Sequence, residues 1–137
     1  MDDDVVIAKL ESLDRCINRI RSKTPDSYDA FADDLDSQEI IALNLERSVQ
    51  LSVDVALRVL AKQRGPNLPG NMADAFRHLC AAGVIDPETS AQLISAVGFR
   101  NISVHSYQEV DPEIVWSILQ NHLDVFSRYA QQILALP

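Results

Sequence analysis

Residues 40–60 read I-I-A-L-N-L-E-R-S-V-Q-L-S-V-D-V-A-L-R-V-L, an apolar tract with no Gly or Pro in it. Plotted at 100° per residue, its Ile, Leu and Val positions cover more than one side of a helix, so the tract predicts a long, central, largely buried helix from about Ser37 to about Lys62. Ser37 stands as the expected N-cap, and Glu39 and Glu46 bias the first half acidic, which suits the positive end of a helix. Asn44, Arg47 and Arg58 interrupt the apolar pattern, and Glu46, Gln50 and Asp54 recur at i, i+4 and i+8. Those three have two readings: an exposed ladder, or a polar line turned inward to meet a cation elsewhere in the chain.

The flanking sequence supplies partners for such a helix. Val6, Leu10, Leu13, Ile17 and Ile20 step by 4, 3, 4 and 3, one apolar stripe on a helix from about Asp3 to Lys23 that Thr24-Pro25 ends. Between Asp26 and Asp36 a short helix is expected in an acidic connection anchored by Tyr28, Phe31 and Leu35. Gly65-Pro66-Asn67-Leu68-Pro69-Gly70 marks a loop, after which a helix resumes near Asn71 with Met72, Phe76 and Leu79 inward and Gly83 as its left-handed terminator. Asp86-Pro87-Glu88 and Asp111-Pro112-Glu113 each combine an N-cap Asp, a proline at the first helical position and an acidic residue after it. The second opens a final helix whose stripe runs Val115, Leu119, His122, Phe126, Tyr129, Ile133, Leu136. Trp116 lies off that stripe and is available to a partner surface; His78 and His122 lack ligand-type neighbours and read as boundary and core-flank histidines. No useful strand alternation occurs. The expected fold is all-α, an antiparallel bundle of four long helices with one or two short ones, in a single domain over residues 1–137.

Composition narrows the function classes. Apolar residues make up 47% and charged residues 23% of 137 residues, ordinary for a folded domain with its own core. The start, Met1-Asp2-Asp3-Asp4, is acidic and no apolar run is long enough to span a bilayer, so a cytoplasmic location is expected. Cys16 and Cys80 have no metal-type spacing and read as buried free thiols rather than a disulfide. Net charge is −8, yet residues 1–40 hold eleven acidic against five basic side chains, so the acidity is concentrated in the first third. An acidic body disfavours nucleic acid unless a local region is basic.

The densest chemistry is Phe99-Arg100-Asn101-Ile102-Ser103-Val104-His105-Ser106-Tyr107. Arg100 and His105 are five residues apart, about 140° around an unbroken helix, and cannot share a face. Asn101 and His105 are i, i+4 and can touch, so Asn101 could orient the imidazole. Convergence of Arg100 and His105 requires either that the helix end near Val104, with Ser106 to Asp111 as a loop, or that two copies meet across a two-fold axis. A plainer account makes all three residues caps for the last carbonyls of a helix.

The string R-N-x-x-x-H-x-Y resembles the Arg-x4-6-His signature of HEPN domains, most closely the HepT-like toxins of HepT/MNT toxin–antitoxin systems. Asn44-Leu45-Glu46-Arg47-Ser48-Val49-Gln50 with Asp54, Gly83-Val84-Ile85, and Val97-Gly98-Phe99 leading into Arg100 extend the similarity along nearly the whole chain. The resemblance implies a dimeric, metal-independent endoribonuclease toxin with Arg100 and His105 catalytic and Asn101, Glu46 and Asp54 supporting. It also implies an MNT-type nucleotidyltransferase antitoxin that transfers AMP to Tyr107. No metal or cofactor is assigned to the chain itself. The rival classes are a noncatalytic helical dimer, which the acidic charge favours, and an accessory module that binds a nucleotidyltransferase.

Overall fold

The computed structural model describes residues 1–64, 69–105 and 111–137, and the side chains of these apart from residues 64 and 100–105. The described chain forms α1 (Asp4–Lys23), α2 (Tyr28–Ala32), α3 (Leu35–Arg64), α4 (Met72–Ala81), α5 (Pro87–His105), α6 (Pro112–Asn121) and α7 (Val125–Leu134), with no strand among the described residues. The breaker cluster expected at residues 65–70 lies mostly outside the described residues.

Helix α1 runs antiparallel to α3, and long-range side-chain pairs mark the register. Asp3 caps α1 through the amides of Val5 and Val6, at 3.0 and 3.4 Å. The same carboxylate takes Arg58 Nε at 2.7 Å and Lys62 Nζ at 2.6 Å from the far end of α3. One turn group further along, Lys9 pairs with Asp54 at 3.6 Å. The interface between them is the expected stripe of Val6, Leu10, Leu13, Ile17 and Ile20, all buried. Ser48 and Ser52 keep α3 narrow where it meets its neighbours, each returning its hydroxyl to the carbonyl four residues back.

The remaining bundle helices alternate in direction. Asp86 exchanges two hydrogen bonds with Gln132, and Gln92 accepts from Arg128, so α5 and α7 are antiparallel. Arg21 reaches Asp124 at 3.1 Å, and α1 is antiparallel to α7. The resulting order is up, down, up, down for α1, α3, α5 and α7. Tyr129, fully buried, crosses the core from α7 and donates its hydroxyl to the Ser52 carbonyl of α3 at 2.8 Å. Burial pushes the Tyr129 phenol well above its ordinary pKa, so it stays a donor. Phe76 of α4 meets the Tyr129 ring edge-on, at a centroid distance of 5.8 Å.

Local signals account for most helix ends. Asp86 and Asp111 cap α5 and α6 through the amides of Thr89 and Glu113. Gly83, at φ 77°, closes α4 with Gly83 N–H on the Cys80 carbonyl and Val84 N–H on that of Leu79, a Schellman pair that needs a left-handed residue. The start of α3 differs from expectation. Ser37 is not its N-cap; Asp34 is, taking the Ser37 amide at 3.1 Å and hydroxyl at 2.7 Å while its own carbonyl accepts from Gln38. These bonds hold the Asp34 carboxyl below the usual range.

Four further expectations are corrected. The last helix is two: the backbone breaks at His122, φ −132°, and resumes at Val125, with the 122–125 and 123–126 bonds shortened to three-residue spacing. The break lets α6 lean onto α2 while α7 completes the bundle. Trp116 is not free for a partner but packs on Phe31 at 5.5 Å and Tyr28 at 6.1 Å. Leu35 is no anchor; it opens α3 and is 54% exposed. Cys16 and Cys80 are free thiols and half-buried rather than buried.

Two measurements test this account. Tyr129→Phe removes the cross-core hydrogen bond without changing the ring packing, and is expected to cost about 1 kcal/mol in denaturant unfolding. An unchanged midpoint would remove the bond from the stabilising set. The Asp3 carboxyl is held far below its ordinary value, first by Arg58 and then by Lys62. A depressed carboxylate stabilises the fold above the unfolded Asp value and loses that contribution as pH falls through the folded one. Asp3→Asn therefore lowers the melting temperature at pH 7, and its difference from the parent chain shrinks on titration from pH 5 towards pH 2. A difference that grows in acid contradicts the assignment.

Candidate active site at the end of α5

Helical backbone continues in α5 through His105, one residue past the expected end. Arg100 and His105 thus occupy one uninterrupted helix, at positions about 140° apart. The observed end agrees with the expected one near Val104 to within a residue, and the loop by which His105 would turn back begins outside the described residues. Arg100 falls in register with Leu93 and Val97, which are buried, at steps of 4 and 3. Asn101 stands one turn before His105. Phe99, just ahead, is also buried. Ser106 and Tyr107 lie outside the described residues, as does most of the expected loop.

The height of the motif in the bundle follows from the cross-links. Asp86 is level with Gln132, Gln92 with Arg128, and Tyr129 with Ser52, so residue 91 of α5 stands roughly beside residue 52 of α3. Nine residues further along the antiparallel helix, Arg100 comes roughly level with residue 43, about 13 Å away along the axis. Glu46 is within one turn of that level. Asp54 is about 16 Å from it along α3.

The polar line of α3 also fails to run straight. Each i+4 step drifts about 40°, so Asp54 is turned about 80° from Glu46 around the helix. That drift carries Asp54 to the α1 side, where it accepts from Gln50 at 2.9 Å and pairs with Lys9. Glu46, half-buried, shares its side of the helix with Val53, seven residues on and 3% exposed. The ladder reading thus describes Gln50 and Asp54, and the cation that an inward-turned Glu46 would meet belongs to residues whose side chains lie outside the described ones. His78 and His122 are half-buried, each with an Nδ1 lacking a partner, and His122 terminates α6. Among the described residues no group of three or more His, Cys, Asp or Glu side chains is arranged to hold a metal ion. None of the helices described is long and apolar enough to cross a membrane.

Sequence reasoning missed Asp3 as a charge anchor. Its capping role was readable from its place before an apolar stripe, but its cations come from 55 and 59 residues away.

An up-down helical bundle with an Arg-Asn-x-x-x-His run in the last turns of its third bundle helix defines the HEPN class of helical domain. Comparison makes the assignment specific: the ribonuclease HepT-like family model matches residues 13–133, and the chain belongs to that family. A curated relative from Shewanella oneidensis, named mRNA nuclease HepT, is 33% identical over 133 residues, covering 97% of this chain and 98% of that protein. Another, named tRNA nuclease HepT from Aphanizomenon flos-aquae, is 25% identical over 129 residues, covering 94% and 87%. A solved structure of tri-AMPylated Shewanella oneidensis HEPN toxin in complex with MNT antitoxin superposes with a TM-score of 0.89 at 33% identity, covering 98% and 99%.

The helical run of α5 is open to direct measurement. Backbone carbon chemical shifts of residues 100–105 are expected to be helical throughout. Coil shifts beginning at Asn101 would restore the single-chain route to convergence.

Proposed function

We propose that this chain is the toxin of a toxin–antitoxin pair, a metal-independent endoribonuclease acting as a homodimer in the cytoplasm. Membership of the HepT-like family supplies the ribonuclease class, and the observation that carries the rest is the unbroken helix through Arg100 and His105. Two groups about 140° apart on one helix make a poor site within one chain. Two copies about a two-fold axis supply two of each to one cleft.

In this reading His105 takes the proton from a ribose 2′-hydroxyl, and the His105 of the second copy returns one to the departing 5′-oxygen; imidazole is the side chain suited to both tasks at neutral pH. The 2′-oxygen attacks the adjacent phosphorus, the bond to the 5′-oxygen breaks, and the products are a 2′,3′-cyclic phosphate and a 5′-hydroxyl. Arg100 binds the scissile phosphate and stabilises the charge that builds on its oxygens. Asn101, one turn before His105, holds the imidazole. Glu46, at the level of Arg100, is the acidic partner for the guanidinium, and Asp54 stays with Lys9. Only RNA supplies the attacking hydroxyl.

Regulation follows the relatives. The toxin in the solved complex is AMPylated and bound to an MNT antitoxin. For this chain the proposed acceptor is Tyr107, two residues from His105, and the proposed donor is an MNT-type nucleotidyltransferase using ATP. The tyrosyl oxygen attacks the α-phosphorus, pyrophosphate leaves, and the AMP ester adds negative charge at the mouth of the cleft, repelling RNA phosphate.

The experiment is cleavage of RNA by the purified chain in EDTA. Arg100→Ala and His105→Ala are each expected to lower the rate by about 10²-fold or more at unchanged helical content. Glu46→Gln should reduce it while Asp54→Asn leaves it near the parent value. Incubation with the nucleotidyltransferase and ATP should add AMP to Tyr107. Full activity in His105→Ala, or a requirement for added metal, would refute the mechanism.

A further inference from the structure

The outer face of α3 carries a pattern that its role as a buried helix does not require. Leu43 is 45% exposed, although it sits in the most apolar tract of the chain. Glu39 and Arg47 stand four residues to either side of it, both exposed. Neither forms an ion pair within the chain among the described residues. Asp36, exposed, and Gln50, half-buried, stand seven residues to either side. The sequence thus reads acid, acid, leucine, base, amide about a centre at Leu43.

We propose that this face is the seam between two copies of the chain, an antiparallel α3–α3 pair whose two-fold axis passes at Leu43. The inference rests on the dimeric reading above and names the surface that builds it. In an antiparallel pair centred on residue 43, residue i meets residue 86−i of the other copy, because the two numbers average to 43. Glu39 of each copy then faces Arg47 of the other, twice over. Asp36 faces Gln50, a carboxylate against an amide, and Leu43 meets its own copy on the axis. A pattern that is complementary to itself after reversal is what an isologous contact demands. A partner of one charge would leave either Glu39 or Arg47 opposed.

The position of the seam fits the site. Around α3, α1 takes the side of Arg58 and Lys62 and α7 the side of Ser52; we place α5, which also packs on α3, on the remaining buried flank beyond Val49 and Val53. The axis of an antiparallel pair lies in the plane between the two helices and at right angles to them. It therefore carries the α5 flank of one copy to the same flank of the other, so both α5 helices stand on one side of the seam. Since Arg100 is roughly level with residue 43, both motifs come to the height of the axis. With helices about 8–10 Å apart across the seam, the two α5 axes lie roughly 10–15 Å apart, a gap that side chains from both can span. Glu46 stands on α3 between the seam and the α5 flank, where the cleft opens.

Sedimentation equilibrium of the full chain tests the seam through charge exchange. Glu39→Arg and Arg47→Glu, made singly, set like charges against each other and are expected to raise the dimer dissociation constant about tenfold or more. The double variant restores both pairs in reversed order and is expected to return within about threefold of the parent. Leu43→Asp places two carboxylates on the axis and is expected to give monomers that keep their helical circular dichroism. Leu43→Cys is expected to yield a 43–43 disulfide on mild oxidation, since a residue on the axis lies within bridging distance of its own copy. A dimer indifferent to Leu43→Asp, or an exchange variant weaker than both singles, overturns the seam. RNA cleavage assayed on the same proteins separates the two inferences. A parent chain that cleaves RNA but never dimerises overturns the seam and leaves the ribonuclease; a seam-dependent dimer that never cleaves RNA does the reverse.

Discussion

A helix of 30 residues that is apolar over more than half of its circumference has to be covered on several sides at once, and α3 sets that demand for the whole chain. Helix α1 covers one side, α5 another, and α7 closes the core between them. The Tyr129 hydroxyl on the Ser52 carbonyl fixes the depth at which α7 enters. Because the phenol is buried beyond reach of water, losing its acceptor would leave an unsatisfied donor in the core, so only one register of α7 against α3 satisfies it. That one register sets the heights of α5 and, through it, of Arg100.

What was legible in the sequence was periodic or local. The α1 stripe, the two Asp-Pro-Glu starts and Gly83 each depend on residues within a turn or two, where side-chain chemistry and backbone geometry act directly. What escaped depends on distance. The final stripe from Val115 to Leu136 keeps helical spacing across the break at His122, because two helices joined by a tight turn can hold the same 3, 4 steps. Only the need of α6 to meet Phe31 and Tyr28 bends the chain there. Asp34 displaced Ser37 as cap by the same token: both residue types cap well, and the position of α2 decided between them.

The candidate site shows the same division. The residue types from Arg100 to Tyr107 were readable at once, and so was the angle that separates Arg100 from His105. The role of the second helix was half readable. An i, i+4, i+8 series looks like one line on paper, yet its accumulated drift sends Asp54 to Lys9 and leaves Glu46 on the side of Val53. Leu43 was counted with the interior because a mostly apolar helix gives no sign of which leucine faces out. Its 45% exposure emerged only once α1, α5 and α7 had taken the other sides.

The charge of the chain bears on how such a site would meet RNA. A net charge of −8 doubles in a dimer, and a uniformly acidic body would repel a polyanion. Repulsion between exposed charges fades beyond about 8 Å at physiological ionic strength, so the groups lining a cleft outweigh the total. Eleven of the twenty acidic residues lie before residue 41, many in α2 and the turns beside it. Several acidic side chains are held in pairs or caps: Asp54 with Lys9, Asp34 with Ser37, Asp86 with Thr89 and Gln132. In the proposed dimer Glu39 joins them, neutralised by Arg47 of the second copy. Assembly then removes two acidic and two basic charges from solvent beside the cleft while bringing two Arg100 positions to its axis. The Glu39–Arg47 pairs leave the net charge beside the axis unchanged, so in that dimer RNA binding would be coupled to assembly through the phosphate-binding and catalytic groups that two copies bring together rather than through a change in total charge.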